Sequence, residues 1–338
     1  IGPYNDLALG FYQVCKYYYS PGYHEAGPNL QLMINERAWQ SLTPDLQAIV
    51  IPVDREILHV LSKEFSVDDQ IGIKDPIGMV GVRLEVETLI IQGLSSQIKN
   101  LTKAIFRTGL DIEDLVLSPL AASQAVIGLK QKELGAALVN IGASTTSLAV
   151  FEEGELLHTA VIPIGSEHIT ADIAIGLRCP IDLADRIKLE FGSAAARKFS
   201  KKDDADISPL LSDEHLSGEA KTISRKYLAE IIEARTEEIF EKVDEEFKKI
   251  ERSGMLPGGV FLIGGGTKLT DIVEIAKKIL RLPASLGSGN NIRAVIDKVN
   301  DPEYLNALGL VVWGNEIAGA GTERGPFHVA SLGKAVKW

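Results

Sequence analysis

Two short apolar runs in this chain each break on a cluster of glycine and hydroxyl residues. The first, at 136–139, passes into Asn140-Ile141-Gly142-Ala143-Ser144-Thr145-Thr146 and is answered by another apolar run at 147–151. The second, at 259–263, passes into Gly264-Gly265-Gly266-Thr267 and then into a helical pattern at 271–280. Apolar runs of this length bounded by turn residues read as buried strands. The chain is therefore of the α/β class, with a hairpin at one strand end and a strand-to-helix corner at the other. Small residues let backbone N–H groups approach an anion, and the hydroxyls of Ser144, Thr145 and Thr146 add donors. At the corner a helix N-terminus favours negative charge. Neither spacing is a Walker A loop or the Gly-x-Gly-x-x-Gly of a dinucleotide fold. Taken singly, a plain hairpin turn and a tight strand–helix turn explain them as well.

The 338 residues are enough for two compact units. A net charge of −11, with no basic tract, argues against a general affinity for nucleic acid. No apolar run approaches the roughly 18–20 residues that span a bilayer. Cys15 and Cys179 give neither a disulfide framework nor a metal spacing, and so small a number fits a reducing cytoplasm. His-Glu-x-x-His, Gly-x-Ser-x-Gly and Cys-x-x-Cys are all absent. The chain begins without methionine and without a signal peptide, which fits a fragment or a processed chain.

Along the chain, 57–60 and 64–67 read as short strands, 72–81 as a glycine-rich loop, and 82–92 as a strand. Ile98, Leu101, Ile105 and Phe106 have the spacing of a helix face. An alanine-rich helix at 119–129 suits close packing. Residues 156–164 form the third strand after the hairpin, followed by helices from Ser166 and over 182–191. Residues 193–222 read as a polar, solvated excursion. Ser224 then caps a long helix to about Arg252, with Leu228, Ile231, Ile232, Ile239, Val243, Phe247 and Ile250 on one stripe. Asp185 and Lys188 lie three apart on their helix and share a face. A packed helix at 306–313 comes last.

The order of these pieces (hydroxyl-rich hairpin, acidic-x-x-Lys helix, helical insertion, Gly-Gly-Gly-Thr corner) resembles the second half of the actin/Hsp70/sugar-kinase nucleotide fold. Within that superfamily, several stretches resemble the FtsA family of bacterial cell-division proteins. They are Arg55-Glu56-Ile57-Leu58-His59-Val60, Asp75-Pro76-Ile77-Gly78-Met79-Val80-Gly81-Val82-Arg83-Leu84, the segments 139–147 and 154–165, Asp172-Ile173-Ala174, and Ala307-Leu308-Gly309-Leu310-Val311-Val312-Trp313-Gly314. The resemblance covers about 51–338. It implies an actin-like fold that binds ATP with Mg²⁺, polymerises, and ties the tubulin-like ring protein FtsZ to the inner face of the plasma membrane. On the same basis 51–80 is a remnant of the FtsA-specific inserted subdomain and 81–136 the remainder of subdomain 1A. Residues 137–192 and 256–314 form subdomain 2A, and 193–255 form subdomain 2B. The resemblance places nucleotide contacts at Asn140, Gly142, Ser144, Thr145, Thr146, Asp185, Lys188, Gly264, Gly265, Gly266 and Thr267. It places the FtsZ contact at Arg225 and Arg235.

The departures carry expectations too. The fold's first phosphate loop is not found before residue 138. Asn140 stands where the family usually has aspartate, and an amide is neither a general base nor a carboxylate ligand for Mg²⁺. Weak nucleotide binding and negligible hydrolysis are expected. Residues 315–338 read as a linker and the start of an amphipathic membrane helix, with Lys334, Val336, Lys337 and Trp338 at the interface. Residues 1–50 differ in texture. Gly2-Pro3-Tyr4-Asn5-Asp6, Tyr17–Glu25 and Ala38–Leu42 resemble periplasmic TRAP-transporter solute-binding proteins of the 2-oxoacid type, abutting the rest near Val50–Ile51 as in a chimera. A PilM-like pilus adaptor and a sugar or acetate kinase are the alternatives within the fold. Asn140 argues against the kinase. A solute-binding protein is the alternative that residues 1–50 favour.

Overall fold

The structure, a computed structural model, describes residues 55–210, 222–289 and 300–319. The chain divides into two units, with boundaries at 117/118 and 315/316.

In the first unit β1 (Arg55–Val67), β2 (Gln70–Ile73) and β3 (Leu84–Leu94) form an antiparallel sheet in the order β2-β1-β3. The two strands expected at 57–60 and 64–67 are one. Bulges at Ile57/His59 and Ser62/Glu64 shift the register, so the in-out alternation breaks while the pairing with β3 continues. β2 takes up the start of the expected loop at 72–81. Because β3 pairs with β1 over its whole length, the boundary drawn at residue 80 falls inside this sheet. α1 (Ser95–Phe106) follows, and of its expected apolar face Leu101 and Phe106 are exposed. Buried His59 accepts a hydrogen bond from the Leu117 N–H at 2.9 Å, fixing the last residue of this unit to β1.

The second unit is built on a five-stranded mixed sheet in the order β10-β9-β4-β5-β6. β4 (Ala136–Ile141), β5 (Thr146–Glu152) and β6 (Glu155–Ile162) run antiparallel in succession, as the hairpin pattern predicts. β9 (Gly259–Ile263) lies parallel to β4, and β10 (Ala284–Leu286) parallel to β9. α2 (Ser118–Val126) buries Ala121, Ala122 and Ala125 completely. α3 (Leu129–Leu134) leads into β4. α4 (Ser166–Leu177), α5 (Ile181–Phe191), α6 (Arg225–Lys249) and α7 (Ile272–Leu280) supply apolar side chains to one core with β4–β6 and β9. α6 opens as expected, with the Tyr227 N–H on Ser224 Oγ; of its stripe Leu228, Ile232, Ile239, Val243 and Phe247 are buried, while Ile231 and Ile250 are half-buried against the same core. α8 (Leu305–Gly319) begins on fully buried Leu305, and Gly309 lets its backbone meet α2: a Cβ there would lie 2.5 Å from Ala122 Cα.

The described part of 193–222 is not a solvated excursion. β7 (Asp204–Asp206) pairs with β8 (Thr222–Ser224), and Ala205, Ile207, Leu210 and Ile223 are buried. Its apolar residues alternate with aspartates at a period of two. The many charges hide a strand that buries one face only.

Candidate functional site

Because β4 and β9 are parallel neighbours, with Asn140 opposite Ile263, their carboxyl ends lie side by side. The hairpin leaves one end and the glycine corner leaves the other. Ligands of open α/β sheets collect at carboxyl strand ends.

The hairpin is tightly made. Gly142 N–H donates to the Thr145 carbonyl at 2.9 Å. The first turn of α4 is turned onto the same loop: Ser166 N–H donates to the Gly142 carbonyl and Glu167 N–H to the Ala143 carbonyl, at 2.9 and 2.8 Å. Gly165 permits this approach, since a Cβ there would lie 2.7 Å from the Gly142 carbonyl oxygen. The α4 N-terminus is thereby spent on the loop. Two of the three expected hydroxyl donors are also committed: Ser144 Oγ donates to Glu167 Oε2 at 2.8 Å, and fully buried Thr146 donates to the Ile164 carbonyl at 2.8 Å. What remains at the tip is the exposed Thr145 hydroxyl and backbone. Among the described residues nothing accepts from the N–H groups of Ala143, Ser144 and Thr145, all exposed at the tip.

The glycine corner is a short 3-10 turn, Gly265–Lys268. Gly264, at φ 91° and ψ 160°, occupies a region essentially open to glycine alone. A Cβ on Gly264 would lie 2.5 Å from the Ile141 carbonyl oxygen, and one on Gly266 would lie 2.6 Å from Ile141 Cγ2. These two glycines seat the corner against the end of β4. Gly265 differs, because among the described residues nothing comes within 4 Å of a Cβ there, and its N–H has no partner. Packing explains two of the three glycines and leaves the middle one facing open space. The Thr267 hydroxyl closes the turn onto the Gly264 carbonyl at 2.7 Å, and Gly264 N–H donates to the Pro302 carbonyl at 2.9 Å.

Asp185 and Lys188 form their ion pair at 2.7 Å, and the ammonium also donates to Thr170 Oγ1 on α4 at 2.6 Å. The chain leaving α5 is clasped to the residues after the corner. Ser193 and Thr270 form a parallel bridge, Ala194 N–H donates to the Thr270 carbonyl at 2.9 Å, and Ser193 Oγ donates to Asp271 at 2.8 Å. Hairpin, corner and α4–α5 pair are thus one connected assembly. The sequence reading missed Glu167, Lys268, Asp301, Pro302 and Glu303. Glu167 had a signal as the acidic residue in a first helical turn. The strap 301–303 had none, since it reaches the corner from more than thirty residues away.

Arg235 is held by Asp172 through Nε and Nη2 at 2.5 and 3.0 Å, and by Glu238 at 2.6 Å, so it joins α6 to α4. The Asp172 hydrogen bond raises its pKa, against partial desolvation. Arg225 lies over the Phe199 ring at 4.6 Å. Lys334, Val336, Lys337 and Trp338, and the solute-binding resemblance of 1–50, lie outside the described residues.

Comparison with known proteins brings these pieces together. The model for cell division protein FtsA matches residues 137–309, and that for the SHS2 domain inserted in FtsA matches 20–92, which overlaps residues 20–50 as well as the β1–β3 sheet. Relatives described as cell division protein FtsA include one from Pseudomonas aeruginosa, 35% identical over 79% of this chain and 63% of its own length. Another, from Borreliella burgdorferi, is 36% identical over 84% of this chain and 68% of its own. A third, from Bacillus subtilis, is 37% identical over 78% and 58%. The chain thus spans somewhat under two thirds of the length of most of these relatives. Among solved structures, the PilM–PilN type IV pilus biogenesis complex aligns at TM-score 0.58 and 14% identity over 84% of this chain and 75% of that one. MreB5 of Spiroplasma citri bound to ADP aligns at TM-score 0.54 and 19% identity over 68% of each. The fold is the actin-like ATPase fold, and by both family models and these relatives the chain belongs to the FtsA family of cell division proteins.

Proposed function

We propose that this chain carries the nucleotide-binding wall of an FtsA-type adaptor. An adenine nucleotide sits between the hairpin tip and Gly265. The adaptor tethers FtsZ to the inner face of the plasma membrane during septum formation and self-associates as actin-like proteins do. The carrying observation is that two turns remote in sequence meet at adjacent strand ends, each with unpaired backbone N–H groups on its open side. Such donors suit phosphate oxygens. The actin-like fold supports the same ligand, as one structural neighbour is a complex with ADP. Asn140 offers an amide, and the Glu167 carboxylate adds negative charge beside the tip, so affinity is weak and hydrolysis negligible. Mg²⁺ would be held chiefly through the phosphates, without a carboxylate from position 140. The FtsZ contact falls on the α6 region, with Arg225 as the basic residue not committed to an ion pair, and the tail at 334–338 supplies the membrane contact.

Titration with a fluorescent ATP analogue, with and without Mg²⁺, tests the nucleotide part. Saturable micromolar-to-millimolar binding displaced by ATP is expected, and no displaceable binding at millimolar ATP refutes it. Co-sedimentation with FtsZ, compared between the chain and its Arg225→Ala variant, tests the adaptor part.

A further inference from the structure

Glu167 lies in the first turn of α4 and is tied to the hairpin tip twice: its N–H donates to the Ala143 carbonyl and its Oε2 accepts from Ser144 Oγ, both at 2.8 Å. Both ends of the residue are therefore held, one through backbone and one through a hydroxyl. Glu167 is exposed, and among the described residues no lysine, arginine or histidine pairs with its carboxylate. The neighbouring His168 is turned back, its Nδ1 accepting from Gly165 N–H at 3.2 Å. Covalent lengths put Glu167 Oε2 within about 7 Å of the Ser144 nitrogen. That nitrogen is one of the open donors of the tip. A phosphate oxygen on it would lie within about 10 Å of the carboxylate, roughly one Debye length. Asn140, at the end of β4, is neutral. Among the described residues no three acidic, histidine or cysteine side chains gather to hold a cation by themselves, so a cation at this site is held in the main by phosphate oxygens.

We infer that Glu167 is a specificity-determining residue: its carboxylate, held on the hairpin tip by Ser144, makes the site prefer the Mg²⁺ complex of a nucleotide to the free polyphosphate. This rests on the nucleotide site proposed above and names the form of ligand that site takes. Two effects act together. A free polyphosphate brings its full negative charge up to an unneutralised carboxylate, and a doubly charged phosphate roughly 8 Å away in water loses about fivefold in affinity. Mg²⁺ removes two of those charges. It also keeps several waters when bound to phosphates and accepts one or two carboxylates beside them, so the same carboxylate that repels the free ligand tolerates or favours the complex. The preference is reciprocal by linkage: Mg²⁺ tightens nucleotide binding more when residue 167 is ionised than when it is neutral. Because the carboxylate is exposed, salt weakens the discrimination.

The test is the dissociation constant of a fluorescent ATP analogue, displaced by ATP, for the full chain at low ionic strength, in EDTA and in excess Mg²⁺. The readout is the ratio of the two constants, which a merely structural role of Glu167 would leave unchanged by shifting both together. Glu167→Gln removes the charge and keeps the shape. It is expected to tighten binding in EDTA about fivefold and to change binding in Mg²⁺ by less than about twofold. Glu167→Lys reverses the charge and is expected to tighten binding in EDTA further. Ser144→Ala releases the carboxylate without removing it, and its ratio is expected to fall between those of the parent and Glu167→Gln. Raising the salt to 0.5 M narrows the differences. A parental ratio in Glu167→Gln overturns the inference, as does equal tightening in both buffers, which is repulsion without selection. A parental ratio in Ser144→Ala overturns the part assigned to Ser144. Binding by Glu167→Gln in EDTA where the parent shows none supports the inference. If parent and variants bind displaceably in neither buffer, the proposed nucleotide site falls and this inference with it; if the parent binds and the ratio does not move, only this inference falls.

Discussion

The three glycines of the corner offer a test in which neighbouring residues give opposite results. Gly264→Ala places a side chain at φ 91° and ψ 160°, a conformation that costs about 1–3 kcal/mol for a non-glycine residue. Its Cβ would also lie 2.5 Å from the Ile141 carbonyl oxygen, so the backbone of β4 or β9 must shift, adding about 1–3 kcal/mol. A total of about 4 kcal/mol lowers the melting temperature of a unit this size by about 8–16 °C. Gly265→Ala meets no described atom within 4 Å and requires no left-handed backbone. It reduces the freedom of the unfolded chain and stabilises by about 0.4–1 kcal/mol, or about 1–4 °C. If a nucleotide approaches the open side of the corner, the same methyl group costs it about tenfold or more in affinity, roughly 1.4 kcal/mol. Thermal melts by circular dichroism and titration with a fluorescent ATP analogue read the two effects separately. A Gly265→Ala variant that keeps both parental stability and parental affinity removes the corner from the binding site. A Gly264→Ala variant as stable as the parent refutes the packing of corner on β4.

Three other outcomes follow from the ion pairs and the buried histidine. Burial pushes the Asp244, Glu246 and Asp271 carboxyls up, but hydrogen bonds and nearby cations outweigh it (Lys248, Ser253 and Arg281; His158 and Lys249; Lys198 and Ser193), so all three sit below their ordinary values of 3.8 to 4.5. Depressed carboxyls stabilise the fold above those values and lose that contribution as the pH falls through the folded ones; these three carboxyls, all in the second unit, are expected to leave its urea midpoint level from pH 7 to 5 and to lower it below about pH 4.5. Burial, opposed by Asp114, holds His59 below 6.5, so its neutral form favours the fold and stability falls as acid takes the pH under 6.5; His59→Gln is expected to flatten the unfolding profile of the first unit between pH 7 and 5, and an unchanged profile discards the neutral acceptor for Leu117. Arg235→Met breaks the two-point contact with Asp172 and is expected to cost about 1–2 kcal/mol in urea unfolding. A loss of FtsZ co-sedimentation with unchanged stability would instead return Arg235 to the partner surface.

The hairpin at 142–146, the glycine corner, the three-strand run from β4 to β6, and the cap and stripe of α6 were all legible in the residues. Each is decided within a few positions by alternation, turn chemistry or a capping hydroxyl. Where the reading failed, local pattern and real pairing diverge. Bulges in β1 interrupt a strand whose hydrogen bonds continue, and β7 hides between aspartates because only one of its faces is buried. The hydroxyls of Ser144 and Thr146 read as ligand donors because their acceptors, Glu167 Oε2 and the Ile164 carbonyl, are supplied by chain about twenty residues further on.

The order of turns along the chain determined the actin-like class, the two glycine-bearing turns and the likeness to FtsA, because strand ends, glycines and helix caps act over short distances. Only the tertiary structure decided which of those groups are free. The parallel pairing of β4 with β9 brings Asn140 and Gly264 together and spends two glycines on packing, while the α4 side of the hairpin occupies the Ser144 and Thr146 hydroxyls; the N–H groups of the tip and of Gly265 are left without an acceptor among the described residues. Whether a donor is available depends on every neighbour that could accept from it, and those neighbours come from parts of the chain that meet only once it has folded.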